Sequence, residues 1–413
     1  MDTVTQMLNQ HQKIARWAQL PHHAPAIGWI VRGERFYWTP ERETEYEPLT
    51  AQYEIGSITK TMTAYRLARG EQEGLWQASD TLDKLVSELA ESEFARSVTL
   101  RQLATHTSGL ARLAKNQVLM SMKQDKTNPY AAYTEEHLLE AVREEKLRSG
   151  AKHAYSNYGY GLLGWAMSRA AGVPASQALN QELFEPLGMS HTEMAILGEE
   201  TSLQKVNSNT DVGRTVVEKA SGGATLHLTE SQPDSTASKT TSKGREAGKT
   251  ARQTASTTSQ AALLPGFAPG GRPMPHWDFT SAMAGAGAVR STITDMLTYV
   301  EAQLGQHAQA AELEAAFLEC QKEQASVAPS KGVGIGYAWM RSMRKDGTVT
   351  HWHNGATYGF SSFMAFNRDL QSGFVVLSNR GVSFSGQIKQ MLGLGELSTD
   401  RAAGLVGEAL FSV

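Results

Sequence analysis

A serine and a lysine stand three positions apart in Ser57-Ile58-Thr59-Lys60. Gly56 and Ser57 open a pattern of helical period that is predicted to run to about Arg69, with Gly70 as its stop. On a helix this spacing puts both side chains on one face, one turn apart. A serine hydroxyl is a poor nucleophile until a neighbouring group takes its proton. A lysine beside it can take that proton, or supply the field that lets another group take it. A serine at a helix N-terminus also meets free backbone N–H groups and the positive end of the dipole. Taken alone, S-x-x-K recurs in unrelated helices.

Tyr155-Ser156-Asn157 is the second candidate. A tyrosine of ordinary pKa, about 10, is a poor base at neutral pH, and two nearby positive charges would lower that value. Asn157 can offer its amide to a substrate carbonyl or to Lys60. The plainer alternative makes Tyr155 a core-edge aromatic and Asn157 a helix N-cap. His353-Asn354-Gly355-Ala356 is the third. His351 and His353 share one strand face. Gly355 permits close approach of a ligand or another backbone. The Ala356 N–H is then a candidate oxyanion donor. A metal pair of His351 and His353 would be half a site, with no further ligand at convincing spacing. His106, in LRQLATHTSGL, reads as a structural hydrogen-bonding residue.

The whole chain limits what these residues can serve. It has 413 residues, a formal net charge of −3, 40 % hydrophobic and 20 % charged residues. That describes a water-soluble globular protein without the basic footprint of a nucleic-acid binder. No run approaches the length of a membrane span. A single cysteine, Cys320, excludes an internal disulfide and a multi-cysteine zinc site. Gly244-Arg-Glu-Ala-Gly248-Lys249-Thr250 is one residue short of a phosphate-binding loop and follows no apolar strand. No G-x-S-x-G elbow occurs. The N-terminus shows no signal-peptide pattern, so the chain as given reads as cytoplasmic, and as exported if a leader was trimmed.

The elements that must position the candidates follow from periodicity. Val4, Met7, Leu8, Ile14, Ala15 and Ala18 predict one amphipathic N-terminal helix. Ile27–Val31 and Arg35–Trp38 form a hairpin around Arg32-Gly33-Glu34. Helices are predicted at Thr99–Ala104, Glu135–Leu147 and Tyr158–Ala171. Thr292-Ile-Thr-Asp295 resembles a capping box ahead of a helix that Gly305 ends. Strands are predicted at Gly334–Met340, Thr348–His353, Gly359–Asn367 and Gly373–Asn379, then a helix at Ala402–Phe411. Ser231–Gln260 holds 13 Ser or Thr in 30 residues, and no Phe, Trp or Tyr falls between Phe184 and Phe267. Such a segment cannot offset its ordering entropy, so 196–264 reads as a flexible insertion, with a short strand at Ala224–Leu228. Residues 1–75 and 265–413 then form an α/β sheet domain around a mainly helical 76–195.

In their order, these motifs resemble the serine β-lactamase and penicillin-binding protein superfamily, in its class C β-lactamase-like branch. Supporting segments are LRQLATHTSGL, Phe184–Met189, Ala284–Thr292 with Asp295, and Gly359-Phe360. The resemblance covers about residues 20–195 and 265–405. It implies an antiparallel sheet flanked by helices plus an inserted helical domain, with the site between them. It implies that Ser57 is acylated, that Lys60 and Tyr155 share its proton, that Asn157 orients substrate, and that the N–H groups of Ser57 and Ala356 form the oxyanion hole. The expected activity is acyl-enzyme hydrolysis of small esters or amides such as D-amino-acid peptides. A true β-lactamase or D-alanyl-D-alanine carboxypeptidase is the alternative, and a non-catalytic binding protein on this fold is a third. No cofactor or metal is implied, the partner is a small-molecule substrate, and the oligomeric state is open. His353 stands where many relatives carry a permanent cation of a Lys-Thr-Gly motif. With an ordinary pKa near 6.5 it would be a carboxylate anchor only when protonated.

Overall fold

The computed structural model describes residues 3–41, 47–146, 152–199, 261–382 and 397–412. Most of the expected insertion, including Ala224–Leu228, lies outside the described residues.

The N-terminal helix is two helices, Thr3–Gln10 and Gln12–Ala18. Between them His11 is extended, and its Nδ1 accepts from the Lys13 N–H at 3.2 Å, capping the second. Ala15 is exposed, and Trp17 is buried on that face instead. The strands β1 (Ala26–Val31) and β2 (Glu34–Trp38) form the expected hairpin. Its loop residues Arg32 and Gly33 both have positive φ, 49° and 85°, the turn geometry whose twist suits a two-residue hairpin.

Two small sheets follow. β3 (Tyr53–Glu54), β4 (Glu193–Met194) and β7 (Val289–Ser291) join in the order β3-β7-β4. β5 (Gly266–Phe267) pairs with β6 (Pro273–Met274). The C-terminal strands are β8 (Ala325–Ala328), β9 (Val333–Ile335), β10 (Met340–Met343), β11 (Val349–Ala356), β12 (Ser361–Asn367) and β13 (Ser372–Ser378). The main sheet runs β2-β1-β13-β12-β11-β10-β9-β8, antiparallel throughout. The single strand expected at Gly334–Met340 is two, because the chain turns before Trp339, where Ala338 has φ 64°. β11 runs past His353 to Ala356.

Alternation along β13 explains how the sheet is held. Val375 and Leu377 join the larger core, with the Ile293–Leu304 helix, while Phe374 and Val376 join a second core with the terminal helices. Because β13 is buried on both faces, its centre, Phe374–Leu377, reads as a continuous apolar run. Thr292 caps the Ile293–Leu304 helix through the Asp295 N–H, at 3.2 Å. The reciprocal half of the expected box is missing, because the Asp295 carboxylate instead accepts from the His191 N–H and the Thr192 hydroxyl, each at 2.8 Å.

The Thr59–Gln72 helix is central to the larger core, with Thr59 to Ala68 all buried. It passes the predicted stop at Gly70. A Cβ there would fall 2.2 Å from the Trp76 ring, so Gly70 makes room for packing instead. The Asn157–Ala171 helix starts with Ser156 as its N-cap, not Asn157: Ser156 Oγ accepts the Gly159 N–H at 2.9 Å and donates to Ala111 O at 2.6 Å.

Candidate active site

Ser57 lies in a short 3₁₀ turn, Gly56–Ile58, that leads into the Thr59–Gln72 helix. Three bonds fix this turn between two sheets. Ile55 N–H donates to Val289 O at 3.1 Å, Val289 N–H donates to Thr59 Oγ1 at 3.1 Å, and Ser362 Oγ donates to Ile55 O at 2.8 Å. Two glycines let the turn lie against β11. Gly56 has φ 51°, and a Cβ on it would meet Ala356 N at 2.7 Å. A Cβ on Gly355 would fall 2.0 Å from Ile55 O. The close approach expected at Gly355 is therefore that of backbone.

Lys60 is fully buried below Ser57. Its Nζ donates to Ser57 Oγ at 2.9 Å and to Ala286 O at 2.6 Å. Burial, and the positive charge of Arg112, push the Lys60 amine well below its ordinary pKa and favour its neutral form. Tyr155 is half-buried, hydrogen-bonded to Ser57, with its ring centroid 5.0 Å from Lys60 Nζ. The sequence suggested a tyrosine easier to ionise. The structure reverses that: burial pushes Tyr155 up to about 12, and the Ser57 bond and Arg112 only partly offset it.

His106 supports the segment that carries Tyr155. Its Nδ1 accepts from the Ser156 N–H at 3.1 Å, its carbonyl accepts from the Ala154 N–H at 2.8 Å, and its ring centroid is 4.5 Å from that of Tyr155. Asn157 Nδ2 donates to Tyr130 Oη at 2.8 Å, and its Oδ1 is buried without a partner among the described residues. No bond links Asn157 to Lys60.

His353 departs furthest from expectation. It is buried, its Nδ1 donates to Asn354 O at 2.6 Å, and its ring centroid is 6.4 Å from that of Tyr155. Burial, then the neighbouring Lys60, push it down to about 3. Its environment favours the neutral imidazole, the form in which the sequence reading already made it a weak carboxylate anchor. His351 faces elsewhere: its Nε2 bonds Gln321 O at 3.1 Å and its ring stacks on Phe366.

Ser57, Asn157 and Ala356 open onto a cavity of about 290 Å³. Much of its lining was not singled out from the sequence. Tyr130, Trp277, Phe279 and Tyr358 form an aromatic wall, with Tyr130 stacked on Phe279 at 4.7 Å and Trp277 edge-on to Tyr130 and Tyr358 at 5.0 and 4.9 Å. Arg112 contributes its guanidinium, 5.3 Å from the Tyr155 centroid. Beneath the wall, the buried carboxylate of Glu54 accepts the Trp277 N–H at 2.7 Å. Arg112 closely follows Thr107-Ser108-Gly109 and Tyr358 closely follows Gly355, but no period or spacing marks either as a lining residue.

The sequence model of the Beta-lactamase family matches residues 38–393, and the chain belongs to that family. A beta-lactamase of Providencia stuartii is 33 % identical over 177 residues, 42 % of each chain. The D-alanyl-D-alanine-carboxypeptidase/endopeptidase AmpH of Escherichia coli (strain K12) is 30 % identical over 145 residues, 33 % of this chain and 35 % of its own. These matches span less than half the length of either relative. A class C beta lactamase from Rhodobacter sphaeroides superposes with a TM-score of 0.66 at 15 % identity, covering 100 % of this chain and 99 % of its own. A D-alanine carboxypeptidase AmpC from Burkholderia cenocepacia does so at 0.61 and 18 %, covering 97 % of each. The expected fold, an antiparallel sheet flanked by helices, is the one found.

Proposed function

We propose that the protein is a serine hydrolase that acts through an acyl-enzyme on small esters or amides, D-amino-acid peptides among them. One observation carries this reading: a half-buried Ser57 Oγ at the cavity floor, 2.9 Å from the Lys60 amine and hydrogen-bonded to Tyr155. Lys60 is the base, because its environment favours the amine with a free lone pair, while Tyr155 is held as the phenol. Ser57 Oγ attacks the substrate carbonyl as its proton passes to Lys60 Nζ. The ammonium so formed returns the proton, through the Tyr155 hydroxyl, to the leaving oxygen or nitrogen. The N–H groups of Ser57 and Ala356 stabilise the oxyanion. Asn157 Oδ1, buried and unpaired, accepts a substrate N–H. Water then adds to the acyl-enzyme and releases the acid.

The names of the relatives favour a second reading, turnover of β-lactams or of D-alanyl peptides. No helix among the described residues is long and apolar enough to cross a membrane, and we propose a small-molecule substrate. The test is fluorophosphonate labelling read by intact-protein mass spectrometry. Wild type should take one adduct and folded Ser57→Ala none. A folded wild type that takes no adduct overturns the reading.

A further inference from the structure

The cavity above Ser57 carries charge of one sign only among its described lining residues. Arg112 and Lys126 line it, and among the described residues no Asp or Glu does. Neither cation has a carboxylate within ion-pair distance among the described residues. A guanidinium facing a cavity without a carboxylate beside it is a ready partner for a carboxylate from outside. Its planar fork matches a carboxylate in two parallel hydrogen bonds. Arg112 is the better placed of the two, because its guanidinium stands over Tyr155, which bonds the nucleophile. The aromatic wall lines the same cavity. The Trp277 indole N–H donates to Thr127 O at 2.9 Å and so ties the loop that carries Lys126 to that wall.

We propose that Arg112 is the anion anchor of this site, and that its substrates carry a carboxylate beside an apolar group that packs on Tyr130, Trp277, Phe279 and Tyr358. The assignment rests on the hydrolase reading for its biological sense. It moves the anchor from His353, on β11, to the loop that follows the Leu100–Ala104 helix. Arg112 is exposed, and among the described residues no side-chain hydrogen bond or ion pair of it is found, so its replacement should leave the fold intact.

The test measures binding to Ser57→Ala through quenching of tryptophan emission by nitrophenyl esters, and therefore needs no turnover. Three probes are compared: neutral 4-nitrophenyl valerate, mono-4-nitrophenyl glutarate with a carboxylate in the acyl part, and the valerate ester of 5-hydroxy-2-nitrobenzoic acid with one in the leaving group. At least one anionic ester should bind about tenfold tighter than the neutral one. Which one does so tells on which side of the scissile bond the anchor acts. Adding Arg112→Gln should reduce the preference to less than about twofold, and Arg112→Lys should retain part of it. Equal binding of all three esters, or a preference that survives Arg112→Gln, overturns the assignment. In the enzyme with Ser57 intact, Arg112→Gln should lower kcat/KM more for the preferred anionic ester than for the valerate. Equal losses would mean that Arg112 acts only through Lys60 and Tyr155, and overturn the anchor. Failure of the hydrolase reading shows separately, as a wild type that takes no fluorophosphonate.

Discussion

The floor and the walls of the cavity treat charge in opposite ways. On the floor, Lys60, His106 and His353 are all buried, and burial is the first cause that holds each below its ordinary pKa. Around the mouth, Arg112 and Lys126 are exposed. Three nitrogen bases within a small volume would repel one another if charged, and burial removes that conflict by disfavouring the protonated forms. The cost is that the floor offers a substrate carboxylate no charged side chain, and the proposed anchor lies at the mouth instead. In the proposed mechanism the buried bases activate the nucleophile, and in the proposed recognition Arg112 at the mouth holds the substrate.

The largest effect should come from the floor. Lys60→Met keeps the length of the side chain and removes the amine. Acylation of Ser57 by a fluorophosphonate should slow by about 10²- to 10⁴-fold, the range lost with a positioned proton acceptor. Thermal unfolding should not fall with it, since the variant removes a buried ionisable group. A variant that still acylates at the wild-type rate would break the distinction between floor and mouth, and would leave Tyr155 as the base.

The floor was also the legible part of the molecule. Ser57 and Lys60 are one helical turn apart, and Tyr155-Ser156-Asn157 and His353-Asn354-Gly355 are contiguous. Local spacing therefore marks them before any fold is known. The walls come from scattered loops that meet only in three dimensions. Arg112 follows the Leu100–Ala104 helix, Tyr130 precedes Glu135–Glu144, Trp277 and Phe279 follow β6, and Tyr358 follows β11. No period links them. Electrostatic character was illegible for a related reason: Tyr155 was expected to be easier to ionise and His353 was given an ordinary pKa, and both are displaced mainly by burial, which local sequence does not show. The fold's errors share a cause. Gly334–Met340 is one apolar run, and its division into β9 and β10 depends on Ala338 adopting a φ that favours glycine. Gly70 looked like a stop because the sequence does not show Trp76 lying across it.

Glu54 lets the boundary between floor and wall be tested through stability. Burial pushes its carboxyl from 4.5 up to about 7. The folded state therefore holds this proton more tightly than the unfolded chain. The stability linked to it is fully present below about pH 4.5 and is lost as pH rises through 7. Glu54→Gln keeps an oxygen toward the Trp277 N–H and cannot ionise. Its stability relative to wild type should rise with pH, by up to about 3 kcal/mol between pH 5 and 8. Urea unfolding of both proteins at several pH values checks this, and a difference that stays constant would place Glu54 in wetter surroundings than the structure shows.

The smallest effect should be at His353, where the two regions are easiest to confuse. A group with a pKa of about 3 stays neutral from pH 5 to 8, so its titration cannot shape binding in that range. His353→Asn keeps a donor for Asn354 O and removes the imidazole. The ratio of the variant's KM to that of wild type, for mono-4-nitrophenyl glutarate, should change by less than about twofold across this range. If His353 were instead a protonated anchor, the wild type would bind better at low pH only. The ratio would then be large at pH 5 and fall toward one by pH 8. That slope would return the anchor to β11 and charge to the floor.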